Sequence, residues 1–320
     1  VYGMAIDIGS TTVAAYLYDM KNAQLINTYS SLNAQTALGA DVISRIGYCI
    51  KNEDGTEVMQ KKVCDTINKL LTEAKEVDGI DTSKIYHMVL CGNSTMQHLF
   101  LGLYPKSLGN APFVSTTHST VQIKAKELPL ELNPNCEVTF LPLLGGFVGA
   151  DTTAVLIGLE DDGNVRLAID LGTNGEIAVG TSDRYVIAST ACGPALEGAG
   201  LSCGMRAAAG AVQHFTINDD GTVTLDVIGG IEPTGICGSG IIDILAELIK
   251  HNVINKRGQL LSKDKYISKF GEDKLSERLI KVDGVNAFLV SGEGETAVTF
   301  TQLDAREIQK AKAAIMAGCL

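Results

Sequence analysis

The sequence predicts an α/β fold made of two related domains that face a cleft. Three observations carry that prediction. The order strand, strand, strand, helix begins at Tyr2 and begins again at Val165, about 160 residues later. In both places the first strand ends in an aspartate and a glycine turn, Asp7-Ile8-Gly9-Ser10-Thr11-Thr12 and Asp170-Leu171-Gly172-Thr173-Asn174-Gly175. The chain has 320 residues and 45% of them are hydrophobic, which is ample for two cores of ordinary size. A repeat of this length is too long for a solenoid, so the expected domains are 1–162 and 163–320, with the boundary at Asp161-Asp162-Gly163.

The elements follow in order. Tyr2–Ile8, Val13–Tyr18 and Gln24–Ser30 are short apolar runs joined by tight turns, an antiparallel meander. Ala40–Cys49 and Gly55–Lys75 carry helical periodicity, the second longer and amphipathic. A strand at Ile85–Cys91, a helix at Ser94–Leu101, a strand at Glu137–Leu141 and a helix at about Val148–Leu159 complete the first half. The second half opens with strands at Val165–Leu171, Glu176–Gly180 and Arg184–Ile187. After a glycine-rich stretch come a hairpin, Val212–Ile217 and Thr222–Val227, turned at Asn218-Asp219-Asp220-Gly221, and helices at Gly238–Lys250 and Gln302–Ala317.

Charge and cysteine usage narrow the partners. The formal net charge is −11, from 37 acidic and 26 basic residues, and such a surface repels nucleic acid. No apolar stretch approaches the ~20 residues of a membrane span, and no signal peptide is visible. The eight cysteines include no Cys-x-x-Cys pair, so they read as reduced thiols of a cytoplasmic protein, without an iron–sulfur or zinc motif. The five histidines show no metal-ligand spacing. Beginning at Val1 inside a strand-like run and ending inside a helical pattern, the chain reads as a piece of a longer polypeptide.

The two aspartate–glycine turns are the chemical signal. Glycine lets a backbone approach a phosphate without a Cβ in the way, and successive amides and hydroxyls donate to phosphate oxygens. An aspartate facing the cleft can hold a hydrated magnesium ion, which keeps several of its waters. One such turn is ordinary hairpin chemistry. Two, at the same point of two repeated units, point to a phosphate chain gripped from both sides.

The paired turns resemble phosphate loops one and two of the superfold shared by actin, hexokinase, acetate kinase and heat-shock protein 70. The resemblance implies two actin-like domains of ribonuclease-H-like topology. It makes Asp7 and Asp170 the magnesium-side aspartates, and Gly9, Ser10, Thr11, Thr12, Gly172, Thr173, Asn174 and Gly175 the phosphate contacts. One branch is matched more closely, the ATP-dependent reductive activators of corrinoid proteins. The matching stretches are 91–98 (Cys-Gly-Asn-Ser-Thr-Met-Gln-His), 141–151 (Leu-Pro-Leu-Leu-Gly-Gly-Phe-Val-Gly-Ala-Asp) and 191–198 (Ala-Cys-Gly-Pro-Ala-Leu-Glu-Gly). Others are 204–207 (Gly-Met-Arg-Ala), 235–243 (Gly-Ile-Cys-Gly-Ser-Gly-Ile-Ile-Asp) and 306–312 (Arg-Glu-Ile-Gln-Lys-Ala-Lys).

That resemblance implies a domain that binds and hydrolyses ATP with magnesium while a corrinoid protein is returned from Co(II) to Co(I). It implies a corrinoid-protein partner of a methyltransferase system and a homodimer. The family's iron–sulfur module is expected outside this chain, and its adenosine loop beyond Leu320. Rival readings are a small-molecule kinase, an activator of 2-hydroxyacyl-CoA dehydratases, and a partner-binding remnant without turnover.

Further residues have competing readings. Asp151 opens a helix 19 positions before Asp170 and is expected to position the attacking water, or else to complement the helix dipole. Gly238 and Ser239 start a helix that carries Asp243, and this terminus is expected to border the nucleotide or simply to pack closely. Ser94 is expected to cap the helix that follows Asn93. Glu197 and Arg206 are expected either to touch phosphate or metal or to pair with one another.

Overall fold

A computed structural model describes all 320 residues, Val1–Leu320. The chain divides into two compact units, Val1–Asn164 and Val165–Leu320.

The first unit contains β1 (Tyr2–Ile8), β2 (Thr12–Asp19), β3 (Gln24–Leu32), α1 (Val42–Lys51), α2 (Gly55–Asp78), β4 (Ile85–Gly92), α3 (Ser94–Phe100), β5 (Val121–Lys124), β6 (Glu137–Phe140) and α4 (Ala150–Ile157). Its strands form one sheet in the order β3-β2-β1-β4-β6-β5. β1 is central, antiparallel to β2 and parallel to β4. Met4, Ile6 and Ile8 of β1 and Val13, Ala15 and Leu17 of β2 are buried, in the period of two that a strand imposes. Asp7 falls on the opposite phase and is exposed. Against the sheet lies α2, whose Met59, Val63, Ile67, Leu70 and Ala74 recur every three or four residues and are fully buried. α2 ends at Gly79, where φ is 65° and the amide bonds the Ala74 carbonyl, a left-handed cap.

Two helices start later than their periodicity suggests. The first was expected from Ala40 but begins at Val42, because the Asp41 carboxylate accepts from the Ser44 amide at 2.7 Å and Ser44 returns the bond. The fourth was expected from Val148 but begins at Ala150, because Gly149 is extended and serves as its cap.

The second unit contains β7 (Arg166–Leu171), β8 (Gly175–Thr181), β9 (Arg184–Thr190), β10 (Ala211–Ile217), β11 (Val223–Val227), β12 (Gly235–Ile236), α5 (Gly238–Lys250), α6 (Lys263–Phe270), α7 (Lys274–Glu277), β13 (Leu279–Val282), β14 (Val285–Ser291), β15 (Val298–Thr301) and α8 (Gln302–Cys319). It repeats the opening meander of the first unit, but its strands form three sheets of three: β7-β8-β9, β11-β10-β12 and β13-β14-β15. The expected hairpin is present as β10 and β11, and no α-helix stands between it and the third strand. The intervening stretch, 191–210, holds five glycines, and glycine disfavours a helix interior. Phe215, Ile241, Ile244, Leu248, Phe288 and Phe300 form a separate core.

Phe100 and Phe140 are both buried in the first core, with ring centroids 5.9 Å apart. Phe140→Ala should lower the unfolding free energy by about 3–5 kcal/mol, read from denaturant melts of the chain.

Candidate phosphate-loop site

In the first unit the turn between β1 and β2 is built around its carbonyls. A Cβ on Gly9 would lie 2.5 Å from the Thr12 carbonyl oxygen, so the turn requires glycine. Asn33, just past β3 and fully buried, donates its Nδ2 to the Gly9 carbonyl at 2.9 Å. Its own amide bonds the Thr11 carbonyl at 2.9 Å. Arg45 of α1, also fully buried, donates Nη2 to the Ser10 carbonyl. In a planar trans peptide the N–H points away from the C=O. With the Gly9 and Ser10 carbonyls drawn into the protein, the Ser10 and Thr11 amides are turned the other way.

Three more groups gather at the carboxyl ends of the parallel strands β1 and β4, where ligands of α/β sheets bind. Asn93, directly after β4, donates Nδ2 to Ser10 Oγ at 2.9 Å, while its Oδ1 accepts from the Met96 amide at 3.0 Å. Asn93 is therefore the cap of α3, and Ser94 is not; Ser94 Oγ donates to the Gly145 carbonyl at 3.0 Å. Gly149 lies so close to Asn93 that a Cβ on it would be 2.4 Å from Asn93 Cα. This contact brings the start of α4, and Asp151 in its first turn, against the start of α3. Asp151 Oδ1 accepts from the Thr152 amide at 2.7 Å. Asp7 is exposed beside Cys91, whose Sγ is 3.8 Å from its Oδ1. Asp7, Ser10, Asn93 and Asp151 thus converge on one edge of the first unit.

The second unit repeats the construction with different donors. Cys192, just past β9, directs its thiol at the Gly172 carbonyl at 3.2 Å. The Gly193 amide donates to the Thr173 carbonyl at 3.0 Å. Burial pushes the Cys192 thiol up, with Glu176 and Glu197 adding to the shift, so it stays an S–H donor. Asp170 sits on β7 directly opposite Glu176 of β8, and Ser189 donates to Glu176 Oε1 at 3.0 Å. Thr173 Oγ1 donates to Glu197 Oε1 at 2.8 Å, so Glu197 is bound to this turn rather than paired with Arg206. Asn174 is exposed, and Gly175 packs beneath Ile315 of α8.

No group of three or more His, Cys, Asp or Glu side chains is placed to hold a metal. A cation at either turn would meet few carboxylates, an arrangement compatible with an ion that keeps most of its water, as magnesium does. The inward carbonyls, the outward amides and the sparse carboxylates fit a magnesium–phosphate ligand.

The helix α5 divides the remaining expected residues. Gly238 packs against the turn that carries Glu197, since a Cβ there would lie 2.1 Å from the Leu196 carbonyl oxygen. Ser239 Oγ donates to the Gln213 carbonyl at 2.8 Å. Asp243 accepts from His214 Nδ1 at 3.0 Å and from the Phe215 amide at 3.3 Å, so its carboxylate is committed to β10. Asn33, Arg45, Glu176 and Cys192 were not singled out as site residues from the sequence, since each acts through a carbonyl or a cross-strand neighbour that no spacing reveals.

The second unit defines the class: it matches an ASKHA domain. A family model described as the C-terminal domain of RACo, the ASKHA domain, matches residues 164–320, and one described as the RACo middle region matches residues 2–161. The chain belongs to this family of reductive activators of corrinoid proteins. It is 47% identical, over its whole length and 54% of the relative's, to the corrinoid activation enzyme RamQ of Eubacterium limosum. It is 27% identical, over 80% of its length and 52% of the relative's, to the [Co(II) methylated amine-specific corrinoid protein] reductase of Methanosarcina barkeri. The chain spans about half the length of these curated relatives. A solved structure described as a reductive activator for corrinoid, iron-sulfur protein matches the whole chain with TM-score 0.86 and 36% identity, over 50% of that structure's chain. No helix is long and apolar enough to cross a membrane.

His98 ties α3 to the segment after it. Its Nε2 accepts from the Thr116 amide at 3.0 Å, so Nδ1 carries the proton and donates to the Ser94 carbonyl at 2.8 Å. Burial holds the ring below its ordinary value of 6.5, with His118 adding to the effect. Stability from the neutral ring is present above pH 6.5 and is lost as pH falls below it. Denaturant melts between pH 8 and 5 should show a steeper acid loss for the native chain than for His98→Gln.

Proposed function

We propose that this chain is the ATP-using part of a reductive activator that returns a corrinoid protein from Co(II) to Co(I). The observation that carries the reading is the matched construction of the two turns. In each, the residue just past the third strand draws the first glycine's carbonyl inward, Asn33 at Gly9 and Cys192 at Gly172. Kinship with corrinoid activators supports the partner class.

In this reading each turn offers amides and hydroxyls to phosphate oxygens: Ser10, Thr11 and Thr12 in the first unit, Thr173 and Asn174 in the second. Gly9, Gly172 and Gly175 keep the approach open. Asp7 in the first unit and Asp170 in the second are the carboxylates that would hold a magnesium ion, which when bound would neutralise charge on the phosphates. Asp151 orients the attacking water and takes its proton on a carboxylate oxygen. Gly238 and Ser239 border the nucleotide's other end; Asp243 contributes there only by fixing α5 on β10. The iron–sulfur cluster belongs to a module outside this chain, and the protein works in the cytoplasm as a homodimer.

Titration calorimetry with Mg-ATP tests the reading. The chain should bind with Kd on the order of micromolar. Asp7→Ala and Asp170→Ala should each weaken binding by about 10-fold or more. Asp151→Ala should bind normally and lose hydrolysis by about 100-fold or more. Absence of any heat with millimolar Mg-ATP would sink the nucleotide reading.

A further inference from the structure

Arg45 is a permanent charge with no exposure and no bonded carboxylate. Its donors meet four neutral acceptors: Nε the Gly39 carbonyl at 2.9 Å, Nη1 the Gln35 Oε1 at 3.1 Å and the Met96 Sδ at 3.3 Å, and Nη2 the Ser10 carbonyl. Asp41, the nearest source of attraction, has its carboxylate engaged by Ser44. Burial lowers the guanidinium to about 10, so it remains charged at neutral pH. A buried charge is costly unless something opposite in sign answers it.

The surroundings hold the guanidinium in one pose. Gln35, fully buried, donates Nε2 to the Met59 carbonyl at 2.9 Å, which fixes its Oε1 towards Arg45. Asn33 joins the same cluster, accepting from the Gln35 amide at 3.0 Å and donating to Gly9. Gly39 leaves room for the arginine stem, since a Cβ there would lie 2.8 Å from Arg45 Cγ. Only a planar fork spans Gly39, Gln35 and Ser10 at once. The corresponding donors of the second unit, Cys192 and the Gly193 amide, are neutral.

We propose that Arg45 is the positioning residue of the first phosphate loop, holding the Ser10 carbonyl inward and supplying the buried positive charge that a bound phosphate group completes. The bond polarises the peptide that carries the Thr11 amide, and a hydrogen bond at one end of a peptide strengthens the one at the other. The first loop therefore favours a more highly charged phosphate group. This inference rests on the nucleotide reading given above.

The test compares the native chain with Arg45→Met, which keeps bulk without charge, and Arg45→Lys, which keeps charge without the fork. Calorimetry reads the affinities for Mg-ATP and for adenosine monophosphate, and thermal melts report folding. Arg45→Met should lose Mg-ATP affinity by about 10- to 100-fold and Arg45→Lys by about 10-fold, with a much smaller change for the monophosphate. Where Arg45→Met does not fold, Arg45→Lys decides. A folded variant whose Mg-ATP affinity stays within about 2-fold of native, or that loses melting temperature with no change in the triphosphate-to-monophosphate ratio, overturns the inference and leaves the nucleotide reading intact. Failure of the native chain itself to bind Mg-ATP overturns both.

Discussion

Two carbonyl oxygens, those of Gly9 and Ser10, must be turned into the protein for the first loop to present amides on its open side. That constraint organises much of the first unit. It asks for a donor just past β3, and Asn33 supplies it. It asks for a second donor from the helix beyond, and Arg45 of α1 supplies it through a buried cluster with Gln35 and Met96. It asks that the loop's outer hydroxyl be fixed, and Asn93 at the end of β4 does so. The sheet order places β4 beside β1, so Asn93 arrives at the turn without a long connection. Gly149 then lets α4 and Asp151 approach the same edge.

The second unit solves the same problem more cheaply in charge. A thiol and a backbone amide hold its two carbonyls, and the adjoining side chains are acidic: Asp170, Glu176 and Glu197. A buried cation, Arg45, lies behind the first loop, while the donors behind the second are neutral. Cys192 matters here through its hydrogen bond, which holds the Gly172 carbonyl.

Much of the fold was legible because the relevant signals are local. The strand β1 announces itself by alternating Met4, Ile6 and Ile8 against Asp7, and α2 by its three-and-four spacing from Met59 to Ala74. Helix starts were misread by two residues where a cap, Asp41 or Gly149, overrode periodicity. The β13–β14–β15 sheet went unread because β13 and β15 are only four residues long and Phe288 of β14 meets Phe215 of β10, a partner distant in sequence. The glycine-rich stretch before β10 gave no sign of which way the chain turns, since glycine permits many backbone paths.

The sequence by itself determined the pair of aspartate–glycine turns, their place after the first strand of each unit, and the acidic residues around them. These depend on residue order along a few positions. Only the tertiary structure decided what stands behind the turns. Asn33, Arg45 and Cys192 act through hydrogen bonds to carbonyls that 19 to 35 positions of chain separate from them. It likewise decided that Asp243 serves β10 and that Asn93, not Ser94, caps α3. A donor's target is set by which strands lie side by side, and side-by-side placement is a property of the folded sheet.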